Sequence, residues 1–396
     1  MSKKEQRKAP VLRFKGFTDD WEQHKLGELS IIQSGKTPSS HNLKNYYPSE
    51  IPWVRTGDLN NDLIISCKKY ISKQGAKSLS FLPPNTVLIA MYGGFNQIGR
   101  TGLLTFSATI NQALASILPN SITNSYFLLE LLNKHKNDWR RIAASSRKDP
   151  NITKKDIENK NLFFTTKREQ KQIENIIFHL SKLISLQQQK NADIINLKKA
   201  ILDKIFSNSN IQKWRDIRLN KVLSIPVDEP KEVTNIDDII SVKLNTQGIS
   251  KIPNRSTLKL GSTKYYVRHG GQFIFGKQNF FNGSMAIIPS EYDGKVSSKD
   301  VPSLNINKDI VMPYFLWLYL SRPSFYKKTE RWATGTGSKR LHIKDLLSLK
   351  IYIPNKNEQL RICKLMQSLD TQILKSQKHL KELQSIKKFL LQNMFI

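Results

Sequence analysis

The residues Gly35-Lys36-Thr37, within "IIQSGKTPSS", carry the last three letters of a phosphate-binding loop. Such a loop needs the spacing G-x-x-x-x-G-K-S/T, because several backbone N–H groups must converge on one anion. Position 30, where the first glycine belongs, is Ser30, and Pro38 follows Thr37 where a helix should run. The run is therefore not a nucleotide loop. Other chemistry fails on similar grounds. "EPK", Glu229 to Lys231, has the letters of a metal-nuclease motif but a central proline and no upstream Pro-Asp. Pro83-Pro84 sits in "FLPPNT" rather than after an Asn or Asp and before an aromatic, as an adenine-flipping methyltransferase loop requires. The seven histidines are scattered, Cys67 and Cys363 are far apart, and neither type shows zinc-binding spacing. "ATGTGSKR", Ala333 to Arg340, is glycine-rich without being a phosphate loop. These residues predict no catalytic centre and no metal site.

What the side chains can do is bind a polyanion. Lys and Arg total 63 against 32 acidic residues, a formal charge of +31. Self-repulsion on that scale points to nucleic acid, with an anionic membrane surface as the weaker reading, since no helix pairs a basic face with bulky aromatics. Base edges are read by Arg or Lys on guanine and by Asn or Gln on adenine, with Lys, Ser and Thr on phosphates. In the first half, Lys36, Thr37, Arg55, Thr56, Tyr92, Asn96, Gln97 and Arg100 lie in loop-like, glycine-containing stretches. In the second half Arg268, Lys277, Gln278, Asn279, Asn282, Lys339 and Arg340 do so. Trp53, Gly57 and Asp58 are expected to shape a turn, and Asn111-Gln112 to be hydrogen-bonded in the core. No apolar run reaches the ~18 residues of a membrane span, and the basic start "MSKKEQRKAPVLRFKG" lacks a signal-like apolar stretch. A reducing, cytoplasmic setting is expected.

The elements that must position these residues are arranged twice. Asp156 to Phe206 aligns without a gap on Asp345 to Phe395, at an offset of 189 residues. Glu169-Gln170 meets Glu358-Gln359, Lys198-Lys199 meets Lys387-Lys388, and Phe206 meets Phe395. Each copy opens with a short strand, "LFF" or "IYIP", and continues as a long helix, roughly 58 Å in the first copy. The predicted seam comprises Ile173, Ile176, Leu180, Leu183, Ile194, Leu197 and Ile201, then Ile362, Leu365, Leu369, Leu383, Ile386 and Leu390. Both seams turn polar in the middle, at Gln187 and Lys190 and at Ser376 and His379, which suits an antiparallel pair. "WEQHKL" and "WRDIRL" precede the two remaining segments, and Tyr126-Phe127-Leu128 matches Tyr314-Phe315-Leu316 near their ends. The expected architecture is α+β, with two mixed α/β globular domains separated by two long antiparallel coiled-coil helices and an internal two-fold. The domain boundaries are 1–155 and 213–344 for the heads and 156–212 and 345–396 for the helical spacers.

This order, with "SGKTPS", "IPWVRTGDL", "MYGGFNQIGRTG", "ATINQAL" and the two helical repeats, resembles the specificity subunit of type I restriction–modification systems over nearly the whole chain. The second head departs from the first, having "YYVRHGGQFIFGKQNFFNGSMAIIPSEYDGKVSS" in place of the Trp-Val-Arg-Thr-Gly-Asp string, and is similar to another variety of recognition domain in that family. The resemblance implies a non-catalytic subunit whose heads each read one half of a bipartite double-stranded DNA target. It implies two methyltransferase subunits and motor–nuclease subunits as partners. It also implies that S-adenosylmethionine, ATP and magnesium belong to those partners, with no cofactor in this chain. A stand-alone DNA-modifying or DNA-cleaving enzyme and a non-specific basic coiled-coil scaffold remain the alternatives from the residues themselves.

Overall fold

The computed structural model of the chain describes residues 9–144, 150–251, 263–335 and 338–396. The basic opening run up to Lys8, and Thr336-Gly337 of the glycine-rich run, lie outside the described residues. Packing divides the chain into one unit of Met1–Lys190 with Gln377–Ile396 and another of Asn191–Ser376. This differs from a head–spacer–head–spacer division, because each long helix gives one half to each unit.

The two long helices are Lys167–Ile205 and Lys356–Asn393. In unit 1, Ile173, Ile177 and Leu180 from the start of the first share a core with Leu390, Met394 and Phe395 from the end of the second. In unit 2, Ile362, Cys363, Met366 and Leu369 from the start of the second share a core with Ile201, Leu202 and Ile205 from the end of the first. Start packs with end in both cases, so the helices are antiparallel.

The buried face is not wholly the predicted seam. Ile176, Leu183 and Leu197 are 38%, 53% and 52% exposed, and Leu365 and Ile386 are 45% and 49% exposed. The inward positions instead include Ile177, Ile184 and Leu202. A 3–4 repeat through Ile173 and Leu180 fits either of two adjacent helix faces. The head that each helix end must cover selects between them.

In head 1 a five-stranded sheet runs in the order Ile32–Ser34, Leu114–Ile117, Val87–Ala90, Thr101–Leu104, Asp62–Ile64. It is antiparallel except for its last pair. Val87 and Ile89 point into the core shared with the helix Ser125–Lys134, whereas Leu88 and Ala90 enter a second core with Val54, Leu59 and Ile110. Burial on both faces is why this strand reads as an unbroken apolar run. Head 2 has a four-stranded antiparallel sheet, Leu223–Ser224, Ser303–Ile306, Phe273–Phe275, Met285–Ile287, which likewise sends Phe273 and Phe275 one way and Ile274 the other.

The duplication reappears as equivalent joints. Glu22–Lys25 pairs antiparallel with Asn161–Phe164, and Arg215–Arg218 pairs in the same way with Lys350–Ile353. The "WEQHKL" and "WRDIRL" strands therefore close each head against the strand that feeds its long helix. Gln170 and Gln359, each about 1% exposed, then fasten those helices to the heads. Asn124 N–H donates to Gln170 Oε1 at 2.8 Å and Met312 N–H to Gln359 Oε1 at 2.8 Å. Their amide groups donate in turn to the Thr165 and Pro354 carbonyls. The Glu-Gln of the repeat is thus explained by its glutamine.

The repeated lysine has an equally specific partner, supplied differently in the two units. Lys198 Nζ bonds Asp370, which also accepts from the Tyr314 hydroxyl. Lys387 Nζ lies 3.0 Å from Glu130, which accepts from the Tyr126 hydroxyl at 3.3 Å. The residue of unit 1 equivalent to Asp370 is Ser181, and it too accepts from Tyr126, at 3.1 Å. One unit therefore places the carboxylate on a long helix and the other on the head's own helix. Burial, followed by the neighbouring carboxylate, pushes both tyrosine hydroxyls well above their ordinary value, so each remains a donor.

Candidate nucleic-acid interface

The candidate loops of head 1 are gathered around one short turn, Asn111–Ala113. Gly35 N–H donates to Leu114 O at 3.0 Å and Lys36 N–H to Ile110 O at 3.2 Å. Asn111 N–H donates to Val54 O at 3.2 Å, and Met91 N–H to Ala113 O at 2.8 Å. The loops that follow three different strands, at residues 35–37, 55–58 and 92–100, are thereby stitched side by side. Gly35 has a steric role here: a Cβ on it would lie 2.1 Å from the Asn111 carbonyl oxygen, so no side chain fits. Lys36 and Thr37, next along, are exposed.

Arg55 is half-buried and its guanidinium carbon lies 5.7 Å from the Trp53 ring. Thr56 is only 8% exposed, and its carbonyl accepts from Leu59 N–H at 3.3 Å within the turn. Asp58 shapes that turn, as expected, by accepting from Arg55 N–H at 2.9 Å and Lys68 N–H at 3.2 Å. Asn111 and Gln112 do not fit the expectation of core hydrogen bonding. Gln112 is exposed, and Asn111 is half-buried with its Oδ1 unpaired among the described residues. The turn that carries them must face the loops it gathers, which keeps both side chains out of the core.

The glycine-rich loop carries Tyr92 and Phe95, 42% and 50% exposed, with Asn96 exposed and Gln97 half-buried. Its Gly93, Gly94 and Gly99 have φ of 119°, 79° and 73°, a region that side chains disfavour. Arg100 donates from Nε to Asn96 O at 3.1 Å, and its charge, like that of Arg140, acts on Lys136. Burial first, then Arg140 and Arg100, lower the Lys136 ammonium below the usual lysine range. A lowered lysine is charged at a cost to the folded state at every pH below its folded pKa. Removing that charge relieves the cost, while an incoming anion offsets it. Lys136→Gln is therefore expected to leave the stability of its unit undiminished, while flattening the salt dependence of DNA binding. Hydrogen exchange in the helix Ser125–Lys134 and a salt titration check the two halves of that statement.

In head 2 the structure brings Lys277 and Arg340 together. Leu341 N–H donates to Lys277 O at 2.8 Å and Lys277 N–H to Asp300 O at 2.9 Å. Arg340 reaches Asp300 Oδ2 at 3.4 Å. Burial is the main cause that lowers the Lys277 ammonium, against which Asp300 acts upward and Arg340, Lys299 and Arg268 downward. Gln278 and Asn282 are exposed, and Asn282 donates to Asn279 Oδ1 at 3.1 Å inside the same turn. Lys339 is set apart, paired with Glu330 at 2.7 Å. Arg268 is the clear departure from expectation. It is 4% exposed, donates from Nε to Ser297 Oγ at 2.7 Å, and lies 5.7 Å from the Tyr266 ring. Nη2 also donates to the Ser297 and Ser298 carbonyls, at 3.5 and 3.4 Å, so the guanidinium is held against its strand neighbours and away from the surface.

Lys68, Lys136, Arg140 and Lys299 join these clusters without having been singled out from sequence, and Asn111 joins them although a core position was expected for it. No spacing links Lys136 to Arg100, or Lys299 to Lys277, so only the fold could reveal them. Among the described residues no group of three or more His, Cys, Asp or Glu side chains is placed to hold a metal ion. Among them no helix is long and apolar enough to cross a membrane.

The chain is similar to known proteins in sequence and in fold. The type I restriction enzyme MjaIX specificity subunit of Methanocaldococcus jannaschii is 20% identical over 405 residues, covering 94% of this chain and 92% of that one. The crystal structure of a type I restriction–modification S subunit from M. genitalium superposes with a TM-score of 0.61 at 15% identity, over 98% of this chain and 99% of that one. A chain from a structural study of complex assembly and conformational transition of the type I R-M system gives a TM-score of 0.54 at 16% identity, over 96% and 98%. The family model described as the type I restriction modification DNA specificity domain matches twice, at residues 18–196 and 212–385, once for each half of the duplication. With both halves matched, the chain belongs to the type I restriction–modification DNA specificity family.

Proposed function

We propose that each head reads one half of a bipartite DNA target. The chain is a non-catalytic DNA target-specificity subunit. The observation that carries the two-part reading is the joint. Strand closure, glutamine clamp and lysine–carboxylate–tyrosine contact recur in both units, whereas the sheets they carry differ in strand number and order. A scaffold held constant around two different heads is what reading two different half-sites requires.

The same duplication supports two copies of one partner. Ile176 and Leu365 are repeat-equivalent and exposed, as are Leu197 and Ile386. Exposed apolar side chains at matching positions of a duplicated helix suit a protein surface that docks twice. In this reading two methyltransferase subunits dock there and motor–nuclease subunits join them. S-adenosylmethionine, ATP and magnesium reside on those partners, and the assembly works in the cytoplasm where its DNA is.

The test is to co-express the chain with its methyltransferase partner in a host lacking other adenine methylation and to map modified adenines. One two-part motif with a fixed gap is expected, and exchanging head 2 should rewrite only one half. An assembled complex that modifies no adenine, or whose motif changes in both halves on exchange, would sink the proposal.

A further inference from the structure

Resting on that reading, we propose that the cleft between Arg55, Lys68 and Asn111 in head 1 seats one backbone phosphate of the DNA, setting the head's register without reading a base. Three loops distant in sequence meet there, and Arg55, Thr56, Gly57, Asp58, Lys68 and Asn111 line it. Two unsatisfied groups mark it as built for a ligand. Arg55 Nε and Asn111 Oδ1 are both buried and without a hydrogen-bond partner among the described residues. Buried polar atoms are paired in the large majority of cases, so two orphans on residues that line one cleft leave a need that the described residues do not meet.

Charge decides what that partner is. Arg55 and Lys68 bring two cations, and the Asp58 carboxylate that lines the cleft already accepts the backbone N–H groups of both residues. A neutral base edge would leave at least one cation unmatched, whereas a phosphate oxygen pair suits a guanidinium fork beside an ammonium. The Asn111 amide fits once turned over, which exchanges oxygen and nitrogen without changing its outline and points an N–H at the anion. The loop is also preorganised, because Asp58 fixes Arg55 and Lys68 by their backbones and Gly35 lets the third loop close on Asn111. The fragment of a nucleotide loop at Gly35-Lys36-Thr37 thus lies beside a phosphate seat of different construction.

The experiment uses the assembled complex and two duplexes, one carrying its mapped target and one scrambled. Arg55→Gln and Lys68→Gln should each weaken both duplexes by the same factor, roughly ten-fold. Each should flatten the slope of log affinity against log salt by about 0.9. The methylated motif should stay intact, and one phosphate whose ethylation blocks wild-type binding should become indifferent in Arg55→Gln. Lys68 is exposed, so its variant guards against a folding artefact. Relaxed specificity at one motif position with an unchanged slope would overturn the proposal in favour of a base reader. An unchanged slope with lowered unfolding midpoints would reduce the cleft to structure. Millimolar inorganic phosphate that competes beyond a chloride control of equal ionic strength would assign the cleft to a free anion instead of DNA. A wild-type complex indifferent to target and scrambled duplex would fail the reading of function itself, and the salt slopes would still judge the cleft.

Discussion

Glu130→Leu should destabilise unit 1 by about 3 kcal/mol, and Ser181→Asp should restore most of that loss. Glu130 is 3% exposed and holds Lys387 at 3.0 Å while accepting from Tyr126 at 3.3 Å. Removing it leaves a part-buried ammonium with no counter-charge and a buried hydroxyl with only Ser181 to receive it. The low end of the range for broken buried pairs applies, because the Lys387 side chain is still 22% exposed. The rescue is taken from the protein itself. Asp370, the repeat equivalent of Ser181, receives both Lys198 and Tyr314 in unit 2. An aspartate at 181 should therefore receive Lys387 and Tyr126. Because the chain has two packing units, one global melting curve is the wrong readout. Hydrogen exchange in Ser125–Lys134 reports on unit 1, with Pro313–Leu320 of unit 2 as internal control. If the double variant exchanges as fast as Glu130→Leu alone, the two carboxylates are not equivalent and the idea is wrong.

Phe395→Ala and Phe206→Ala should each cost about 3–5 kcal/mol, but in different units. Phe395 is 2% exposed, stacks on Phe127 at 5.1 Å and meets Trp21 edge-on at 6.4 Å. Phe206, its repeat equivalent, is 6% exposed and meets Trp214 at 5.7 Å, Phe315 at 5.9 Å and Tyr319 at 5.6 Å. The closing Phe of each long helix is therefore the last piece of an aromatic cluster begun by the tryptophan that opens a head. Phe395→Ala also removes packing beside Asn393, whose carbonyl accepts from Leu12 N–H at 2.8 Å, and should loosen that hydrogen bond. Exchange at Leu12 and quenching of Trp21 against Trp214 separate the outcomes. Equal loosening of both units by either variant would contradict the assignment of each Phe to one cluster.

The sequence by itself determined the duplication, because a gapless offset that keeps Gln170 with Gln359, Lys198 with Lys387 and Phe206 with Phe395 records contacts made twice. It determined the helices too, since their apolar spacing extends over many turns, and the absence of recognisable catalytic spacing, since such motifs are local. It could not choose the buried face: Ile176 and Ile177 differ by one position, and the head packed against the helix selects Ile177. Nor could it foresee that Arg268 would be spent on Ser297, or that Asn111 would leave the core to stand beside Arg55 and Lys68. These were decided by tertiary structure alone, because hydrogen bonds between strands and turns far apart in the chain bring the groups together, and no spacing along the sequence encodes which donors those bonds leave free.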